Sequence, residues 1–180
     1  MKKKKFFGNE KEEEGIKVLL RPYKNKIVIE EATLDTNELP EVKTEKYFDF
    51  DKYIFDEELE IFNLVKLWLN SYFNNEKPSL KNIPMKLIGT DFRKKIWSLL
   101  KEISYGEVVT YKDLAKKIAE LQGKEQMSAQ AVGSAVGHNP LSIFIPCHRV
   151  IGTDGSLTGY AAGLKNKKYL LNFESGNNNY

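Results

Sequence analysis

The sequence predicts an α+β fold, with a strand-rich N-terminal piece closed by one helix and a mostly helical C-terminal piece after it. Short β-prone runs bounded by turn formers fill the first half. At Asp56 the apolar spacing changes to a helical period, and beyond Thr90 three capped amphipathic segments follow in quick succession.

Residues 17–23 and 26–34 read as strands, and residues 46–55 alternate aromatic with charged side chains as a half-exposed strand does. Asp56 can cap the helix that follows, in which Leu59, Phe62, Val65, Leu69 and Phe73 recur on one face up to Asn74 and Asn75. Two prolines and no apolar period make residues 77–88 a connection. Thr90 then caps a helix with the stripe Phe92, Ile96, Leu99, Leu100 and Ile103. Thr110, with Asp113 in the first turn, starts another that buries Leu114, Ala115, Ile118 and Ala119 and stops at Gly123. The third begins at Ser128 and runs through Ala129, Gln130, Ala131, Val132, Gly133, Ser134, Ala135 and Val136. Its small side chains let the backbone approach another surface closely, as a helix lying in a DNA groove must. Pattern alone leaves a helix-turn-helix and an ordinary helical hairpin both open. Asp154 and Gly155 form a turn pair between two short extended stretches, and a last helix over residues 165–173 ends near Glu174. The expected organisation is a strand-rich domain over residues 1–80, a linker over 81–89, a mostly helical domain over 90–174 and a disordered tail over 175–180, with disorder also over 1–15.

Composition narrows the function classes. A chain of 180 residues with 41% apolar side chains suffices for one large or two small domains, and burying roughly 70% of its unfolded surface leaves no need for disulfides or metals. The net charge is only +3, and Arg21, Arg93 and Arg149 are the sole arginines, so phosphates would be met mostly by lysine point charges. A single cysteine, Cys147, excludes an internal disulfide and a multi-thiolate zinc site and suits a reducing compartment. No run is apolar enough to cross a bilayer, and residues 1–5 lead into no signal-peptide core. The expectation is a soluble cytoplasmic protein, nuclear in a eukaryote, with no membrane partner. Lys2 to Lys5 can be read as a nuclear signal, though such a run is usually just a solvated terminus.

Cys147 lies between Pro146 and His148, with Arg149 next. A lone cysteine is commonly an inert core residue, but a proton acceptor beside it would generate the reactive thiolate. In extended chain Cys147 and His148 would face opposite sides, so a direct hydrogen bond needs a turn, and a bridging water serves equally well. A histidine base also needs a group to fix its tautomer, and Glu174, closing the last helix, is the candidate. With His138 and His148 the only histidines, a closed zinc site would require carboxylates, so no metal is expected.

The string Ile145-Pro146-Cys147-His148-Arg149-Val150 stands with Gly106-Glu107-Val108-Val109-Thr110-Tyr111, Ala131-Val132-Gly133, Asn139-Pro140, Gly159-Tyr160 and Leu170-Leu171-Asn172-Phe173-Glu174. Together, over about residues 88–174, these closely resemble the O6-alkylguanine-DNA alkyltransferases, also called methylated-DNA–protein-cysteine methyltransferases. The resemblance implies an RNase H-like N-terminal domain and a winged-helix-like C-terminal domain with a helix-turn-helix. It implies a DNA repair protein, acting as a monomer on double-stranded alkylated DNA without a cofactor. In that reading Cys147 takes the alkyl carbon from guanine O6, with O4-alkylthymine a further candidate substrate, and keeps it as a thioether after a single turnover. His148 takes the thiol proton through a water, Glu174 orients His148, and Tyr111 donates to N3 of the leaving base. Tyr160 and Ala161 line the base pocket, Val150 contacts the base through its main chain, and Asn139 ties this loop to the recognition helix. Ser128, Ala129, Gln130 and Arg149 face DNA, which is entered from the minor groove with the damaged nucleotide flipped out.

Two positions depart from the family. Gln130 stands where an arginine is frequent as a wedge in the base stack; it is long enough to insert but uncharged. Ala161-Ala162 replaces a serine or glycine followed by glycine, which adds a methyl to the pocket wall and predicts slower reaction of bulky adducts. Other classes explain less. A lesion binder without transfer chemistry would lack the cysteine, a DNA-binding regulator would need a further domain, and a thiol hydrolase would leave the flanking motifs without a role.

Overall fold

The computed structural model describes residues 15–23, 26–35 and 60–180, and the chain divides into two compact units, residues 1–86 and 87–180. The expected strand over 46–55, the helix start at Asp56 and residues 1–14 lie outside the described residues.

In the first unit, β1 (Gly15–Tyr23) and β2 (Lys26–Asp35) pair antiparallel from Gly15 opposite Asp35 to Tyr23 opposite Lys26. Gly15, expected in a disordered segment, is thus already part of a ladder. Leu19 faces Glu31 but Leu20 faces Ile29, so Glu30 is an extra residue and β2 bulges there. Helix α1 (Glu60–Phe73) buries Ile61, Val65, Trp68, Leu69 and Tyr72 along one stripe. It ends where Asn75 turns left-handed (φ 64°), with Glu76 N–H donating to Ser71 O at 2.9 Å and Asn75 N–H to Tyr72 O at 3.0 Å. These are the two bonds that satisfy the last carbonyls of a helix.

The second unit strings α2 (Asp91–Leu100), β3 (Val109–Thr110), α3 (Tyr111–Leu121), α4 (Ala129–Gly137), β4 (Val150–Ile151) and α5 (Leu164–Ser175). Its helices start where the capping residues predict. Thr90 Oγ1 accepts Arg93 N–H at 3.3 Å, and Ser128 Oγ accepts Ala131 N–H at 3.3 Å. Thr110 and Asp113 exchange both bonds of a capping box, each at 3.1 Å. Helix α3 ends at Gly123 (φ 62°), whose left-handed backbone glycine adopts without strain. Helix α4 packs on α2 and α3; Ile96, Leu100, Ile118, Val132 and Val136 are all buried. Trp97 Nε1–H donates to Ala135 O at 2.8 Å, satisfying a carbonyl in the last turn of α4 that has no partner within the helix.

The β3–β4 ladder is parallel and only two rungs long, Val109 with Val150 and Thr110 with Ile151. It brings the start of α3 beside the segment that follows Cys147. The second extended stretch expected after Asp154-Gly155 is not a strand. Asp154 Oδ1 accepts Ser156 N–H at 3.0 Å and its hydroxyl at 2.6 Å, while Gly152 N–H donates to Ser156 O at 2.9 Å, so the chain closes a tight turn instead. The C-terminal residues, expected to be disordered, fold back on α5: Tyr180 N–H donates to Asn172 Oδ1 at 3.1 Å. Helices and short sheets together make the described chain α+β. No helix among the described residues is long and apolar enough to cross a membrane.

Candidate active site

Residues 141–150 are all buried. Pro146 (φ −78°, ψ 64°) is the centre of an inverse γ-turn, across which Cys147 N–H donates to Ile145 O at 2.7 Å. Cys147–Arg149 then forms a single 3-10 turn, with Arg149 N–H on Pro146 O at 3.1 Å. Three residues per turn spread successive side chains by about 120°. Cys147, His148 and Arg149 therefore leave the same short stretch in three directions.

The thiol is met by Asn139. Its Nδ2 donates to Cys147 Sγ at 2.9 Å and to Ile145 O at 2.7 Å, and its Oδ1 accepts Leu141 N–H at 3.0 Å. The Asn139 main-chain N–H also donates to Val136 O at 3.2 Å, so one residue couples the end of α4 to the sulfur. Burial pushes the Cys147 thiol up, so at rest it is protonated; the Asn139 bond and the charge of Lys167 pull the other way. Lys167 is wholly buried, with Nζ donating to Val150 O at 2.5 Å and Thr158 O at 2.7 Å. Burial lowers its pKa to about 8.

Glu174 gathers the other two directions. Its Oε1 bonds His148 Nε2 at 2.8 Å and accepts Arg149 Nη2 at 2.9 Å. Its Oε2 accepts Arg149 Nε at 2.7 Å and Gly106 N–H at 3.1 Å. Burial alone would raise this carboxyl, but the bonds and charges of His148 and Arg149 hold it well below the usual carboxylate range. An ionised carboxylate only accepts, so the proton on His148 sits at Nε2 and Nδ1 keeps its lone pair. Nδ1 is buried and takes no hydrogen bond from any described residue. Burial lowers the His148 pKa, with Glu174 opposing and Arg149 and Lys167 adding to it; the resting imidazole is neutral.

Tyr111, the first residue of α3, donates its hydroxyl to Thr158 O at 3.1 Å, and burial raises its pKa, so it stays a proton donor. Lys167 Nζ lies 5.8 Å from the centre of its ring. A side-chain carbon at Gly133 of α4 would sit 3.8 Å from that ring. Tyr160 is buried edge-on to His148, ring centres 6.4 Å apart. Ala161 is exposed, Ala162 is buried, and Val150 is buried with its carbonyl on Lys167. Ser128, Ala129 and Gln130 are exposed at the start of α4.

Arg149 is a correction. Expected to face DNA, it is 8% exposed and its guanidinium points inward, bound to Glu174 and, through Nη1, to Ile103 O at 2.6 Å. The turn that separates it from Cys147 aims it at the Glu174 carboxylate. Lys167 and the Gly106 N–H were not among the expected site groups. Lys167 had a signal in the helical spacing of Lys167, Leu170, Leu171 and Glu174, which places it on the buried face of α5.

A buried thiol held by an amide, beside an imidazole fixed by a carboxylate, defines a protein organised for nucleophilic cysteine chemistry. Residues 91–176 match the family model for the 6-O-methylguanine DNA methyltransferase, DNA binding domain. The methylated-DNA–protein-cysteine methyltransferase of Haemophilus influenzae is 45% identical over 130 residues, covering 72% of this chain and 70% of that protein. The O6-methylguanine DNA methyltransferase structure from Methanococcus jannaschii aligns over 94% of this chain and 93% of its own, at 31% identity and a TM-score of 0.61. The Mycobacterium tuberculosis OGT crystal structure in complex with DNA aligns over 64% of this chain and 68% of its own, at 41% identity and a TM-score of 0.57. The chain belongs to the methylated-DNA–protein-cysteine methyltransferase family.

Proposed function

We propose that this protein repairs alkylated DNA by moving the alkyl group from guanine O6 to its own Cys147, once per molecule. The observation that carries the reading is the thiol held by Asn139 in the same turn that delivers His148 to Glu174. The thiol proton passes through a bridging water to His148 Nδ1. The thiolate attacks the alkyl carbon, the carbon–oxygen bond breaks toward O6, and Tyr111 donates a proton to N3 as the base leaves. A thioether has no leaving path in this site, so the protein is consumed.

The target atom is closed off within a duplex, so the nucleotide is flipped out, at an unstacking cost of a few kcal/mol. The α3–α4 pair acts as a helix-turn-helix of a winged-helix-like domain, with Ser128, Ala129 and Gln130 entering the minor groove. The Mycobacterium tuberculosis OGT structure in complex with DNA supports DNA binding by the aligned region. Val150 O, already bonded to Lys167, has a second lone pair for a base amine. Tyr160 and Ala161 border the base, and the N-terminal unit is an RNase H-like support. The protein works as a monomer in the cytoplasm or nucleus.

The test is to incubate the protein with a duplex carrying O6-methylguanine and measure the mass of the Cys147 peptide. One methyl per molecule, appearing there and then stopping, is the expected result, and Cys147→Ser abolishes it. Multiple turnovers, or methyl on another residue, overturn the reading.

A further inference from the structure

We propose that Arg149 is a positioning residue, whose two-point grip on Glu174 presents His148 as a neutral base with its proton on Nε2 and its lone pair on Nδ1. The proposal rests on the reading of Cys147 as the alkyl acceptor and deepens it.

The argument is one of charge in a closed space. Glu174 and His148 alone, both buried, form a pair that attracts a proton: a lone carboxylate 2.8 Å from an imidazole favours the imidazolium. An imidazolium cannot take a proton from a thiol. Arg149 changes that balance. Its Nε and Nη2 meet the two carboxylate oxygens side on, at 2.7 and 2.9 Å, which is the bidentate geometry that a lysine cannot reproduce. The carboxylate charge is then answered by guanidinium, and the imidazole stays neutral.

The guanidinium is itself held from outside. Nη1 donates to Ile103 O at 2.6 Å, and the Tyr105 ring lies against it, with its centre 5.5 Å from the guanidinium carbon. Gly106 completes the frame. Its N–H donates to Glu174 Oε2, and a side-chain carbon there would come within 3.0 Å of the Glu174 carbonyl oxygen on a backbone of φ 78°. The other titratable groups that bear on His148 are Cys147 of its own turn, Lys167 and Glu174 of α5, and Tyr160 after β4, with Tyr105 acting through Arg149. Among these, only Glu174 attracts a proton to His148 at rest, and Arg149 is the group bonded to both of its oxygens.

The test uses the full-length protein with ¹⁵N-labelled histidine. In the wild type, long-range nitrogen–proton spectra show His148 neutral with its proton on Nε2 at neutral pH. In Arg149→Met the ring becomes protonated at higher pH than in wild type. The acid limb of single-turnover alkyl transfer moves up with it, and the rate at neutral pH falls by about tenfold or more. Arg149→Lys, which keeps charge but loses the fork, falls between the two. A wild-type proton on Nδ1 overturns the proposal, even if Arg149→Met does not fold. So does a rate loss in Arg149→Met that is equal at every pH, or a loss of DNA affinity with a shallower salt dependence and an unchanged His148. Because the nitrogen spectra need no substrate, failure of the Cys147 reading appears separately, as absence of methyl transfer with the histidine titration intact.

Discussion

Arg149 and Lys167 are both cations sealed within the second unit, but they sit at opposite poles of the site and in opposite electrostatic situations. At the Glu174 pole, Arg149 faces a carboxylate and each charge answers the other. At the Cys147 pole, Lys167 donates to two carbonyl oxygens, and no carboxylate among the described residues is its ion-pair partner. One pole is balanced before anything binds. The other is balanced only when the thiol ionises, because a thiolate supplies the anion that Lys167 lacks. A buried cation already in place costs no reorganisation as the thiolate forms, which is electrostatic preorganisation applied to the nucleophile. The lowered Lys167 pKa and its partial recovery from Cys147 express the same relation.

Breaking the balanced pole gives the largest effect. Glu174→Gln leaves Arg149 buried with no anion, and removing one partner of such a pair costs about 3–5 kcal/mol. Chemical denaturation at neutral pH measures it, and a loss under about 1 kcal/mol contradicts the account. The pH dependence has a defined sign. The folded pKa of Glu174 is depressed below its ordinary 4.5, so its stabilisation is complete above that value and is lost as pH falls through and beyond it. Below pH 4.5 the wild type should therefore converge on Glu174→Gln.

The unbalanced pole should respond more weakly and in a different pH range. Lys167→Met removes a cation whose burial is unfavourable at rest, so its stability cost at neutral pH is smaller than that of Glu174→Gln. The folded pKa near 8 lies below the ordinary 10.5, so wild type gains stability as pH rises from about 8 to 10.5, and the variant does not. Alkyl transfer should fall by about tenfold at pH 7, for loss of one charge near the thiolate. The ratio of wild-type to variant rate then shrinks above pH 8 as Lys167 loses its proton. A ratio that stays constant through that range shows that Lys167 acts only through packing.

The two poles were unequally legible in the sequence. Cys147 and His148 stand in one short string, and the caps Thr90, Thr110 and Ser128 mark helix starts because capping is local chemistry. Arg149 belongs to the same string, yet its direction depends on Ile103, 46 residues earlier, and on Glu174, 25 residues later. No local pattern specifies such a convergence. Lys167 sat among Lys165 and Lys168, where composition suggests a solvated face; only helical phase distinguishes it from its exposed neighbours. The role of Trp97 is hidden for a related reason, since it is a bond to the backbone of α4, 38 residues away. Side-chain identity predicts chemistry well when the partner is nearby in sequence and poorly when the partner is a distant main-chain atom.

The smallest effect lies away from both poles, at the exposed start of α4. Gln130 touches neither Glu174 nor Cys147 in any bond described above, so its substitution should alter DNA engagement while leaving the thiol chemistry intact. As a wedge, glutamine can fill the space of a flipped base and hydrogen-bond the orphaned partner, but it brings no charge. Gln130→Ala should weaken binding to lesion-containing duplex by a few-fold, roughly 1 kcal/mol, within the range of a lost neutral hydrogen bond. Gln130→Arg should tighten it and, if the guanidinium reaches a phosphate, steepen the salt dependence by about 0.9 in log–log slope. Reaction with the free alkylated base, which needs no wedge, should be unchanged in both variants. Equal loss on free base and duplex would place Gln130 in the support of Cys147, and unchanged values on both would leave its side chain without a part in repair.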